Sequence, residues 1–163
     1  MEMIRKESSL LKYNDESELN DSDRQLLLAA KEAVGTSYAP YSKFHVGCAL
    51  LLENGVVIKG SNQENIAFPS GLCAERVAVF QAGANYPGVA VVAMAVTVKA
   101  DDHVVAEPIM SCGACLQSLS EFEMKSGIRM RTILQGEKGA IYVAEKGTET
   151  FMPFQFETKA LGK

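Results

Sequence analysis

Apolar positions recur along this chain with helical spacing in some stretches and strand spacing in others, and the switches between them outline a fold. In "SDRQLLLAAKEAVG", Leu26, Leu27, Ala30 and Val34 share one helical face, with Ser22 placed to cap the segment and Gly35 to end it. "HVGCALLLENGVVIKGSN" follows as two apolar strands around Asn54-Gly55, a pair suited to both positive-φ positions of a tight hairpin turn. "SGLCAERVAVFQAGA" predicts a second helix, with Ser70 as candidate cap and Gly83 near its end. The run "VAVVAMAVTV" is apolar at nearly every position, as a central strand covered on both faces requires. A third helix is predicted from about Gly113 to Lys125, then short strands in "RMRTILQG" and "AIYVAEKG".

The order helix, hairpin, helix, strand, helix, strand, strand predicts one α/β domain over residues 1–163, with helices layered on both faces of a mixed five-stranded sheet. Residues 1 to about 20, opening "MEMIRKESSLLKYNDES", lie outside this pattern and are expected to form a polar leading tail.

Composition narrows the partners. At 163 residues, 47% of them apolar and 22% charged, the chain can bury a core of its own. The net charge of −4 and the scattered Lys and Arg argue against nucleic acid and against an anionic membrane surface. The longest apolar run, "GVAVVAMAVTV", falls short of the roughly 20 residues a membrane span needs. The start has no apolar signal core, so a cytoplasmic location is expected. In that reducing compartment the four cysteines are expected as ligands, catalysts or small buried hydrophobes rather than disulfides.

The chemistry concentrates at two predicted helix starts. Cys73 opens one and the pair Cys112/Cys115 the other, where free N–H groups and the helix dipole favour thiolate over thiol. A C-x-x-C pair alone serves equally as a redox couple or half of a structural metal knuckle. Two helix starts that meet in space, however, would gather three thiolates around one Zn²⁺. With Cys48 mid-strand, as a buried small hydrophobe, and His45 and His103 as structural or surface residues, no fourth protein ligand is expected. Three protein ligands leave one coordination position open, the arrangement of a catalytic zinc. Glu75, in the first turn after Cys73, can lean back toward the helix start and handle protons there without binding the metal. Arg76 stands one turn after Cys73 on the same face, where a guanidinium can offset the negative charge of the thiolates.

Together "CAER" and "CGACLQ" resemble the small cytidine deaminases of the all-cysteine zinc type. The resemblance extends over most of the chain: "YAPYSKFHVGCALL" is similar to the family's Y-x-P-Y-S-x-F-x-V-G-A-A-L segment, "SNQENIAFPSGLCAER" to its N-x-E-N…C-A-E-R stretch, and "FMPFQF" to L-L-P-x-x-F. It implies hydrolytic deamination of cytidine and 2′-deoxycytidine, with one zinc per subunit on Cys73, Cys112 and Cys115 and with Glu75 as proton shuttle. It further implies ribose contacts from Asn62 and Glu64, packing of Phe44 on the pyrimidine, and a base contact from the Ala74 backbone. Phe156 matches a residue that reaches a neighbouring subunit's site, which implies a homotetramer with shared sites. The chain departs from the pattern at Ser111, where the family usually has Pro, and at Leu116, where it usually has Arg. The rival readings are a deaminase of another aminopyrimidine nucleoside, such as a nucleoside antibiotic, and a structural zinc module without chemistry.

Overall fold

Strands β1 (Leu11–Tyr13), β2 (Phe44–Leu52), β3 (Val57–Ser61), β4 (Val91–Ala100), β5 (Arg131–Gln135) and β6 (Ile141–Ala144) form one sheet, ordered β1-β6-β5-β4-β2-β3. The structure is a computed structural model and describes residues 1–162. Neighbouring strands pair antiparallel except β4 and β5, which run parallel across the helix that joins them. The α-helices among the described residues are α1 (Asp21–Val34), α2 (Ala74–Asn85) and α3 (Gly113–Ser126).

Alternation along the central strands divides the core. Cys48, Leu50 and Leu52 of β2, with Met94 and Val96 of β4, pack against Ala74, Ala78 and Val79 of α2 and Leu119 of α3. The intervening Ala49, Ala93 and Ala95 pack against Leu26, Leu27 and Ala30 of α1. Both faces are therefore covered, which is why β4 carries no polar face in the sequence. Small residues let the helices lie close. A Cβ on Gly47 would fall 2.1 Å from the Ala30 carbonyl oxygen, and one on Gly60 would fall 2.6 Å from the Ala74 oxygen. The second contact seats the first turn of α2 directly on β3.

Several local expectations are corrected. The sheet has six strands among the described residues rather than five, because Leu11–Tyr13 of the leading segment pairs with β6. The segment then turns at Glu16–Glu18 and buries Leu19. An unpaired β6 edge would leave a row of open N–H and C=O groups, and this short strand satisfies it. Helix α1 is capped by Asn20, whose Oδ1 accepts from Asp23 N at 2.9 Å, and not by Ser22. Ser70 lies in a separate 3-10 turn, Phe68–Ser70, and Cys73 is the cap position of α2. Gly83 does lie near the end of α2, as expected, and a Cβ there would come within 2.9 Å of the Phe122 ring on α3. In the hairpin Gly55 alone takes positive φ, at 84°. The loop is one residue longer than a two-residue turn, closed by Leu52 N donating to Val56 O at 2.9 Å around Glu53, Asn54 and Gly55, so Asn54 is spared the left-handed region.

Candidate metal centre and active site

Cys73 occupies the cap position of α2, without a side-chain cap bond, and Cys112 caps α3 through its sulfur; the fold brings these two helix starts together. Cys73 Sγ lies 3.8 Å from Cys112 Sγ, which lies 3.4 Å from Cys115 Sγ. A tetrahedral zinc with Zn–S bonds of about 2.3 Å separates its sulfurs by about 3.8 Å, so the three thiols have the chemistry and the spacing of a zinc site. All three ligating atoms lie within 4.8 Å of one another, and among the described residues no other trio of His, Cys, Asp or Glu does so.

The thiols also share charge. The neighbouring Cys115 thiol, with the Arg76 guanidinium and the Cys112 thiol, holds the Cys73 pKa down to about 5 against half-burial. The neighbouring Cys73 sulfur pushes the Cys115 thiol up, as does its burial. These neighbours favour the thiolate form at Cys73, the form that binds a metal.

Beside the cluster lies a cavity of about 610 Å³, lined among others by Phe44, Asn62, Glu64, Cys73, Glu75, Arg76 and Cys112. Glu75 is only 4% exposed. Burial pushes its carboxyl above the ordinary range, while its own backbone N–H, the Ser111 hydroxyl and the Cys115 thiol pull the other way. A buried carboxyl of that kind, open to a cavity, can both take and return a proton. Arg76 Nη2 approaches Cys73 Sγ at 3.6 Å and the Gly71 carbonyl at 3.5 Å.

The far side of the cavity is polar. Glu64 Oε2 accepts from the Tyr41 and Ser42 backbone N–H groups at 2.9 and 3.3 Å, which fixes the carboxylate. The Ser42 hydroxyl also holds it in its charged form. Asn62 does something sequence reasoning missed. Its Oδ1 accepts from Val46 N at 2.8 Å and its Nδ2 donates to the Phe44 carbonyl at 2.8 Å, so the amide anchors the start of β2 as a further strand residue would. One Oδ1 lone pair remains for a ligand. Ala74 is fully buried in the core at the start of α2 and does not itself line the cavity, though its neighbours Cys73 and Glu75 do. Phe156 stands apart from it, 60% exposed, its carbonyl bound to Gln117 Nε2 at 3.2 Å. Phe68, Leu72, Ile109 and Met110 also line the cavity and were not singled out from the sequence. Phe68 and Leu72 lie inside the "NQENIAFPSGLCAER" stretch, the one signal that could have found them.

The remaining candidates fall where expected. Cys48 is fully buried in the core, and that burial, with the nearby Glu75 charge, pushes its thiol well up. His45 bridges Ser37 Oγ and Asp101, and His103 contacts Asp102, both away from the thiols.

A sequence profile described as the cytidine and deoxycytidylate deaminase zinc-binding region matches residues 20–130. This chain belongs to that deaminase family. A cytidine deaminase of Halalkalibacterium halodurans is 42% identical over 102 residues, 61% of this chain and 71% of its own. One from Sporosarcina psychrophila is 43% identical over 98 residues, 60% of this chain and 68% of its own. In three dimensions the fold is similar to a crystal structure of cytidine deaminase from Burkholderia pseudomallei, with a TM-score of 0.69 and 34% identity, covering 85% of this chain and all 100% of that one. The deaminase family thereby accounts for the zinc-binding cysteines. It leaves two departures to explain. Leu116 is buried with its N–H in the first turn of α3, bonded to Cys112 O at 2.9 Å, and places no charge near the cluster. Ser111 turns its hydroxyl inward.

Proposed function

We propose that this chain hydrolyses the C4 amine of cytidine and 2′-deoxycytidine, giving uridine and 2′-deoxyuridine and releasing ammonia in pyrimidine salvage. The observation that carries the reading is a buried Glu75 carboxyl beside three converging thiols, in one cavity with Glu64 and Asn62. Cys73, Cys112 and Cys115 would hold one zinc, which when bound acts as a Lewis acid that makes water a nucleophile at neutral pH.

This chain's own residues divide the remaining work. Glu64, fixed by two backbone donors, and the free lone pair of Asn62 accept from ribose hydroxyls. Phe44, held by the Asn62 amide, packs on the pyrimidine face. The Ala74 backbone meets the base edge. Glu75 takes a proton from water and passes it to ring N3 as the water oxygen bonds to C4; it then takes the proton of the new C4 hydroxyl and gives it to the amine as the C4–N bond breaks and the C4=O bond forms. Water and cytidine thus balance uridine and ammonia. Arg76 offsets the charge of the thiolates through Cys73.

The partner is a free nucleoside rather than a nucleic acid strand, given the net charge of −4. No helix of the described residues is long and apolar enough to cross a membrane, and four unpaired cysteines suit a reducing cytoplasm. The whole chain acts as one domain, since its leading segment completes the sheet. Phe156, exposed and unused by its own cavity, supports a homotetramer in which it reaches a neighbour's site. The test is incubation of the zinc-loaded protein with cytidine, following uridine and ammonia together. Equimolar products are expected; no conversion of either nucleoside would overturn the reading.

A further inference from the structure

The loop between α1 and β2 is closed by a side-chain staple. Ser37 Oγ, just past α1, and His45 Nδ1, near the start of β2, share a hydrogen bond of 2.6 Å. The other ring nitrogen, Nε2, lies 3.2 Å from Asp101 Oδ1, just past β4. That carboxylate favours a proton on Nε2, which leaves Nδ1 to accept from the Ser37 hydroxyl. Asp101 also donates its own N–H to the Lys43 carbonyl at 3.1 Å.

The stapled loop carries part of the cavity. Its Tyr41 and Ser42 N–H groups hold Glu64, and Phe44 lines the wall. Lys43 between them stands at φ 57°, the only non-glycine residue with positive φ among the described residues. Such a residue persists where its surroundings hold it. Of residues 38–44 only Ala39 is buried, so polar bonds rather than apolar packing must hold the loop. Tyr38 is tied at the first end, its N–H donating to Asn62 O at 2.9 Å and its carbonyl accepting from Glu64 N at 2.8 Å. His45 holds the second end.

Resting on the deaminase reading, we propose that His45 is a positioning residue for the sugar: through Ser37 and Asp101 it holds the Tyr41 and Ser42 N–H groups against Glu64.

The test compares His45→Ala, His45→Asn and Ser37→Ala in the zinc-loaded protein, the first also combined with Glu64→Ala. The measurements are kcat and KM for cytidine, zinc per subunit, and hydrogen exchange along the backbone. His45→Ala is expected to raise KM about threefold to tenfold, the range of one lost hydrogen bond. Its kcat and zinc content stay at wild-type values, as for an interaction made equally before and during the reaction. The Tyr41 and Ser42 amides exchange about tenfold faster, while β4 keeps its protection. Ser37→Ala gives the same pattern from the other end of the staple, and it decides by the same readings if His45→Ala does not fold. His45→Asn keeps an acceptor near the place of Nδ1 and restores most of KM. With Glu64→Ala already in place, His45→Ala adds no further rise.

Unchanged KM or unchanged exchange at Tyr41 and Ser42 in His45→Ala overturns the inference, as does an equal rise in the Glu64→Ala background. A fall in kcat that matches the rise in KM, or faster exchange throughout β4, makes His45 structural and overturns it too. Wild-type protein that converts neither nucleoside would refute the deaminase reading, and this inference with it. Active wild type beside unaltered variants refutes this inference alone.

Discussion

Arg76 and Cys73 stand one helical turn apart on α2, and Arg76 Nη2 reaches back to within 3.6 Å of Cys73 Sγ. The contact ties the only cationic side chain that lines the cavity among the described residues to the sulfur whose thiolate form it favours. Replacing Arg76 with Ala is expected to lower zinc affinity or kcat by about 10–100-fold. Chelator competition and steady-state kinetics measure the two effects separately. Wild-type values for both would remove Arg76 from the site.

Cys48 and Cys112 make a contrast within one residue type. Cys48→Ala should keep one zinc per subunit and lose about 1 kcal/mol of stability, for a small group taken from a packed core. Cys112→Ala should lose most of the zinc. Metal analysis with denaturant melts checks both, and loss of zinc in Cys48→Ala would contradict the ligand set.

Helix and strand periodicity made most of the fold legible, because elements covered on one or both faces leave a pattern of apolar positions. The thiol cluster was legible for a different reason: Cys73 and Cys112 stand where helices begin, and beginnings are marked by what precedes an apolar run. Elements held by edges or side-chain caps left no such mark. Strand β1 has three residues, none of them fully buried, and owes its existence to the open edge of β6. Asn62 reads as turn chemistry, yet its amide extends the hydrogen bonding of β2. Ser111 was visible only as a departure from the family pattern, and nothing in its local sequence marks its hydroxyl as buried.

Glu123 was hidden in the same way, since "SEFEMK" looks like a solvated helix face. It is instead 2% exposed. Its carboxylate accepts from Thr148 Oγ1 at 2.6 Å, Met130 N at 2.9 Å and Arg129 Nη1 at 3.0 Å, tying α3 to the C-terminal segment. Glu123→Ala strands these donors, and a loss of about 3 kcal/mol is expected in denaturant unfolding. A loss under about 0.5 kcal/mol, the range of ordinary surface changes, would show that the network is not holding the segment.

Phe156 tests the assembly. Phe156→Ala is expected to raise KM for cytidine or to loosen the oligomer, read by kinetics and light scattering on the same samples. A fully active wild-type monomer would rule out the shared site.

The central claim is that Glu75 moves the protons while the cysteines hold the metal. Zinc per subunit and ammonia release from cytidine, measured side by side for wild type and Glu75→Gln, test it most directly. The account predicts about one zinc in each and a kcat about 10²–10⁴-fold lower in the variant, the range expected for a lost general acid–base group. Equal ammonia release from the two proteins, with zinc retained in both, would contradict it.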